Sequence, residues 1–372
     1  MITRNTVLIL GAGASMPFGY PSGISLVKTV VEKIRTNEWT GLLLELGFAA
    51  EEIENFRNSL ARSGRTSIDA FIEHRTEFMR IRKAAIARAL IPYEAEPRLF
   101  ELNAETNWYL YLYGKMAAPW EEFGSNKLSV ITFNYDRSIE HFLFTSLKNS
   151  YGKSDEQCTS VMRTVPIVHV HGQLGYVPWQ GEHGRPYEPS FSIRDLEIAT
   201  NRIKIISEDI IEDPEFAQAH TLIQNAQKIY FLGFGYNNTN MNRLRPDLLK
   251  RKAVWGTCYN LGIAEIEELK TRWRFLRLAA PAYDIMGFLK NEGTISWQRP
   301  SSLQMCGNGH MKRRDFIEST LVVSAAMQIT NFKSQVRAHR STTRNLHCSR
   351  CGSHSLRTSR LRFRPVMRAS FV

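Results

Sequence analysis

The stretch "VLILGAGASMPFGYPSG", Val7 to Gly23, decides the fold. Four apolar residues run directly into Gly11-Ala12-Gly13-Ala14-Ser15, so a buried strand delivers a turn almost free of side chains to a sheet edge. Gly11 and Gly13 let backbone N–H groups approach a phosphate closely, and a helix starting there would present its positive end to the anion. A G-x-G alone suits any tight strand-to-helix turn equally well. Met16 stands at the third glycine position of G-x-G-x-x-G, so the dehydrogenase fingerprint is broken.

Four later runs share the character of the first: "LSVITF" (128–133), "VPIVHV" (165–170), "KIYFLGF" (228–234) and "AVWGTCY" (253–259). Each is short and almost continuously apolar, as strands of a parallel sheet covered on both faces must be. Segments of helical period lie between them, which parallel crossovers require. The gap between the first two runs is too long for one crossover. Within it, "TSIDAFIEHRTEFMRIRKAAIARAL" (66–90) has apolar residues at helical spacing, Thr66 with Asp69 as a capping-box-like start, and Pro92 just past the end. The expected fold is α/β: a Rossmann-like doubly wound parallel sheet over 1–300 with a helical insert at about 30–125.

The net charge of +12 points away from the body of the protein. Residues 301–372 hold 13 Lys and Arg against only Asp315 and Glu318, leaving 35 basic and 34 acidic residues in 1–300. The tail, Arg- and Ser-rich with scattered hydrophobes, reads as a basic disordered segment that meets nucleic acid, if anything, through phosphates. Its "MKRRDFIESTLVVSAAMQ" (311–328) resembles a twin-arginine signal but is internal, so it is not read as one. Cys306, His310, Cys348 and Cys351 contain one tight Cys-x-x-Cys pair, a weak basis for a zinc site. Five cysteines in 372 residues suggest no disulfide framework, and no apolar stretch approaches the ~20 residues of a bilayer span. With no secretory signal in "MITRNTVLIL", the expected compartment is the cytoplasm, without a membrane partner.

Three further stretches fall at or just past predicted strand ends, the edge at which open α/β sheets bind ligands. They are "TFNYD" (132–136), "HVHG" (169–172) and "GFGYNNTN" (233–240). Asn134 and Asp136 are suited to hydrogen-bond a ribose or a carboxamide. His171, followed by Gly172, is suited to act as a base or a hydroxyl partner; Gly233 and Gly235 allow backbone to pack against a nucleotide. Singly, an Asn after a strand is usually a turn residue and a His is usually a satisfied imidazole. Strand alternation puts His169 and His171 on one face, so periodicity does not choose between them.

In this order, "GAGAS", "TFNYD", "HVHG" and "GFG" resemble the sirtuin superfamily, and more closely its bacterial sirtuin-like NAD hydrolases of anti-phage defence, over about 1–295. The resemblance implies that NAD is the substrate and that Gly11, Ala12, Gly13, Ala14 and Ser15 cradle its pyrophosphate. Gly172, Gly233 and Gly235 complete the cofactor-binding set. Asn134 and Asp136 would hold the nicotinamide ribose and nicotinamide, and His171 would act at the ribose hydroxyls. The departures carry information too. No cysteine lies between Gly172 and Gly233, where deacylating sirtuins carry a four-cysteine zinc module. "GYPSG" (19–23) replaces their Asp-Phe-Arg element, and Phe133 replaces the Gln before the Asn. Tyr236 to Asn238 fall where many relatives carry an Asp.

These differences argue for water, rather than an acylated peptide, as acceptor. The resemblance therefore implies an NAD glycohydrolase that needs no metal, triggered through a homo-oligomer or a partner defence protein. In that reading His171 is neutral and basic near pH 7. The alternatives are a non-catalytic NAD or ADP-ribose sensor and a zinc-free deacylase.

Overall fold

A computed structural model describes residues 1–101, 103, 105–181, 184–204, 213–293 and 295. The expectations for the tail, including Cys306, His310, Cys348 and Cys351, lie outside the described residues. Six parallel strands form one sheet: β1 (Thr6–Leu10), β2 (Leu128–Thr132), β3 (Ile167–His169), β4 (Lys228–Leu232), β5 (Ala253–Gly256) and β6 (Leu276–Leu278). Their spatial order is β3-β2-β1-β4-β5-β6, the doubly wound order in which the chain reverses direction across the sheet between β1 and β4.

The continuous apolar runs are explained by burial on both faces. Along β1, Leu8 and Leu10 enter a core shared with the helical insert, while Val7 and Ile9 enter a second core on the opposite face. The register pairs Leu10 with both Thr132 and Leu232, and Thr132 with His169. Gly11, Phe133, Val170 and Gly233 therefore leave the sheet side by side at its carboxyl edge. The runs at 165–170 and 253–259 contribute fewer strand residues than their apolarity suggested. β6 was not anticipated: it is three residues long and carries the exposed Arg277, so it has no apolar signature.

The insert is helical, as its periodicity indicates, but the 66–90 segment is broken. Helices Ile68–Ile72 and Met79–Leu90 are separated by a 3-10 turn at Thr76–Phe78. Its start also differs from the capping box read from Thr66 and Asp69. Ser67 is the N-cap and accepts from Ala70 N, whereas Asp69 accepts from Arg82 Nη1 at 2.9 Å and Tyr135 OH at 2.6 Å. A carboxylate offered a buried guanidinium gains more there than at its own backbone.

Two contacts fasten the insert to the sheet. Glu94, fully buried, receives Arg137 Nε and Nη2 at 2.8 and 2.6 Å together with Arg185 Nη2. Arg137 follows β2 and Arg185 lies beyond β3, so one carboxylate ties both loops to the insert. Trp108 Nε1 also donates to Ala14 O at 2.9 Å, holding the first glycine turn from behind. Among the described residues no helix is long and apolar enough to cross a membrane.

Candidate active site

The four segments singled out in the sequence converge, and the glycines of the first turn meet the backbone of the turn after β4. Gly13 N donates to Gly233 O at 2.9 Å, and Gly11 N to Leu232 O at 3.1 Å. A Cβ on Gly11 would lie 2.6 Å from Gly233 O, and one on Gly13 would lie 2.8 Å from Gly233 Cα. Gly233 itself has φ +57° and abuts Ala14 N. The glycines thus let the β1 turn and the β4 turn pack backbone against backbone.

The helix expected to point its positive end at an anion is not formed here. Ala12–Ala14 and Met16–Phe18 are 3-10 turns, and the first α-helix starts only at Gly23. Pro17 and the left-handed Gly19 (φ 91°) prevent propagation between them. Ala14 N and Ser15 N are used within the turn, donating to Gly11 O and Ala12 O.

Beside this weld opens a cavity of about 420 Å³. Its walls include Gly11, Ala12, Ser15, Asn134, Asp136, His171 and Gly235, all expected from the sequence. Gly13, Ala14, Gly172 and Gly233 do not line it. Gly172, at φ +77°, instead lets the chain after β3 pack on the backbone of Arg202–Lys204. Gly235 differs from Gly11, Gly13, Gly172 and Gly233, because a Cβ there would meet open space.

Asn134 is fixed at both ends. Its Nδ2 donates to Gly11 O and to Ser15 Oγ, each at 2.9 Å, and its backbone carbonyl accepts from His169 Nδ1 at 2.9 Å. Ser15 Oγ in turn donates to Asp136 Oδ2 at 2.7 Å, while Asp136 Oδ1 accepts from Ser138 N at 3.2 Å and from Ser138 Oγ. Asp136 therefore orients Ser15 and Asn134 rather than reaching for a ligand with a free oxygen. Burial pushes its carboxyl up, although the Ser138 and Ser15 hydrogen bonds pull it back. With both amide hydrogens donated, Asn134 Oδ1 is the acceptor left for the cavity.

The two histidines that periodicity could not separate have opposite environments. His169 Nε2 meets the fully buried Glu140 at 2.5 Å and Nδ1 meets Asn134 O. Burial lowers its pKa, but Glu140 more than offsets this, so the net direction is up. His171 is 3% exposed, packs edge-on against Phe133, and leaves Nε2 without a partner. Burial is the main cause that takes its pKa down to about 4; Asp69 opposes this, and Arg243 and Arg82 reinforce it. The imidazole is neutral at pH 7 as expected, but it is not basic there, because its apolar surroundings disfavour the cation.

Sequence reasoning missed the charged groups that line the same cavity. Asp69 and Glu73 come from the insert and Arg243 from the Asn238–Arg243 helix beyond β4. Burial is the largest influence on Asp69 and opposes its ionisation, but Arg82, His171, the Tyr135 hydrogen bond and Arg243 together outweigh it and hold the carboxyl below its ordinary range. Asp69 has the spacing of a helix-start residue and Arg243 ends the polar run "NNTNMNR", so neither has a local signal. Only the tertiary fold brings them together. Among the described residues no group of three or more His, Cys, Asp or Glu side chains converges as a metal site would require.

No family model matches this chain, and no curated protein matches it.

Proposed function

We propose that the cavity is the active site of a sirtuin-like NAD glycohydrolase, releasing nicotinamide and ADP-ribose, and that the protein acts as an NAD-depleting effector of anti-phage defence. The observation carrying this reading is the shared cavity of Asn134, with a free Oδ1, and His171, with an unpartnered buried Nε2. The strand order supports it, since dinucleotides bind at the carboxyl edge where a doubly wound sheet reverses.

In the reaction, the bond between the ribose anomeric carbon and the pyridinium nitrogen breaks. Its electron pair leaves with nicotinamide as a neutral base. Water adds to the oxocarbenium-like carbon and releases one proton to solvent. Asn134 Oδ1 would orient the ribose or the water, and His171 Nε2 would accept a hydrogen bond from a ribose hydroxyl. An imidazole with a pKa of about 4 serves better as a neutral acceptor than as a proton store. Asp136 keeps its expected place beside the site, acting through Ser15 on Asn134.

The low basicity of His171 also favours the second reading, a sensor that binds NAD or ADP-ribose without cutting it. Incubation of the purified protein with NAD and quantification of free nicotinamide separates the two. Release that disappears in both Asn134→Ala and His171→Ala supports hydrolysis, and full release from His171→Ala ends that assignment.

A further inference from the structure

Four arginines are buried among the described residues: Arg82, Arg137, Arg185 and Arg243. Three have acceptors. Arg82 donates to Asp69 and to Lys204 O, Arg137 to Glu94 and three backbone carbonyls, and Arg185 to Glu94 and Leu174 O. Arg243 is the exception. It is 8% exposed, it lines the cavity, and its guanidinium makes no hydrogen bond among the described residues. Its one ionic partner, Glu73, stands 3.6 Å away and is about a third exposed.

A guanidinium carries five N–H donors, and those of Arg243 are not among the sealed, unpartnered atoms of the interior, so they stay open to an acceptor in the cavity. The main chain of Arg243 is meanwhile fixed, since its carbonyl accepts from His220 Nε2 at 2.7 Å. The cavity therefore presents an anchored cation with vacant donors. The glycine turn, which also lines the cavity, has spent the N–H groups of Gly11, Gly13, Ala14 and Ser15 on protein carbonyls and keeps only that of Ala12. The turn cannot offer an anion the row of donors that a helix start supplies.

We propose that Arg243, not the glycine turn, is the phosphate anchor of this cavity, taking the diphosphate of the dinucleotide in competition with Glu73. The planar fork of a guanidinium matches two phosphate oxygens, a fit the more distant Glu73 carboxylate does not achieve. This assignment rests on the proposed dinucleotide ligand, but not on its cleavage.

The test is calorimetric titration of the full chain with ADP-ribose, which contains the diphosphate but no scissile nicotinamide bond, and with phosphate-free adenosine. Arg243→Gln is expected to weaken ADP-ribose binding roughly 10- to 100-fold, as loss of hydrogen bonds to a charged group does, without a matching change for adenosine. Glu73→Gln, at a partly exposed position, is expected to tighten ADP-ribose several-fold by removing the competitor. Wild-type affinity in Arg243→Gln, or equal weakening in Glu73→Gln, overturns the proposal. Loss of ADP-ribose binding in Arg243→Gln alongside a wild-type protein that releases no nicotinamide retains the anchor and removes the hydrolase. Undiminished NAD cleavage by Arg243→Gln at limiting substrate does the reverse.

Discussion

Asn134 Nδ2 lies 2.9 Å from the carbonyl oxygen of Gly11, a hydrogen bond between residues 123 positions apart in the chain. It joins the loop after β2 to the turn after β1 and leaves the amide only one way round. The second Nδ2 bond, to Ser15 Oγ, continues to Asp136, so a buried carboxylate in the cavity wall sets the direction of the acceptor beside it.

Replacement of Asn134 by Asp is therefore expected to be worse for the fold than its size suggests. A carboxylate oxygen would face Gly11 O with no proton between them. The cost is about 1–3 kcal/mol, the range for a disrupted buried hydrogen bond, and is read as a lowered Tm. Asn134→Ala, which removes the repulsion, should unfold at a temperature closer to wild type while losing ligand cleavage by a factor on the order of 10² or more.

His171 makes stability depend on pH with a definite sign. Its pKa falls from 6.5 in the unfolded chain to about 4 in the folded protein, so the unfolded state binds more protons between these values. Its contribution is fully present above pH 6.5 and is lost as pH falls through 4, amounting to about 3 kcal/mol at most. His169, lifted by Glu140, acts oppositely: its contribution is present below 6.5 and lost as pH rises through its folded value. Denaturation midpoints measured from pH 7 to pH 4 should decline less steeply in His171→Gln than in wild type. Parallel curves would refute the assignment.

The glycines divide into two kinds. Gly233→Ala forces a side chain into φ +57° and against the backbone of Ala14, so a loss of more than about 3 kcal/mol, seen as insoluble or unfolded protein, is expected. Gly235→Ala meets open space and should melt within a degree or two of wild type. Comparable Tm losses in both would mean that the loop contact is not what requires glycine.

Removing Glu94 strands two arginines in the interior. Glu94→Ala is expected to cost about 3–5 kcal/mol or to abolish folding, because Arg137 and Arg185 would keep their charges without a counterion. Chemical denaturation measures the loss, and a change under 1 kcal/mol would show that the arginine-to-carbonyl bonds suffice.

The central sheet was legible because its strands are covered on both faces, which leaves continuous apolar runs such as "TVLIL" and "KIYFL". β6 lacked that signature, as an edge strand of three residues with a central arginine must. Asn134, Asp136 and His171 were identifiable because each stands just past a strand, where the register alone predicts convergence. The glycine turn was less legible. Sequence shows that a side chain is absent, but not whether the space belongs to a ligand or to another stretch of backbone. Here Gly233 fills it. Asp69, Glu73 and Arg243 were invisible for a different reason: their neighbours in the cavity come from elements far away in the chain.

The Glu94 triad also bears on when the site comes into being. Arg137 reaches Glu94 only after β2 has been laid down, and Arg185 only after β3, so neither loop is neutralised until the insert has docked and the chain has grown well past it. A ribosome-bound fragment ending before residue 185 would hold Glu94 neutralised by Arg137 alone, with the second loop still untied from the insert. The cavity accordingly is complete only once the chain has been made through Arg243, the last of its lining residues.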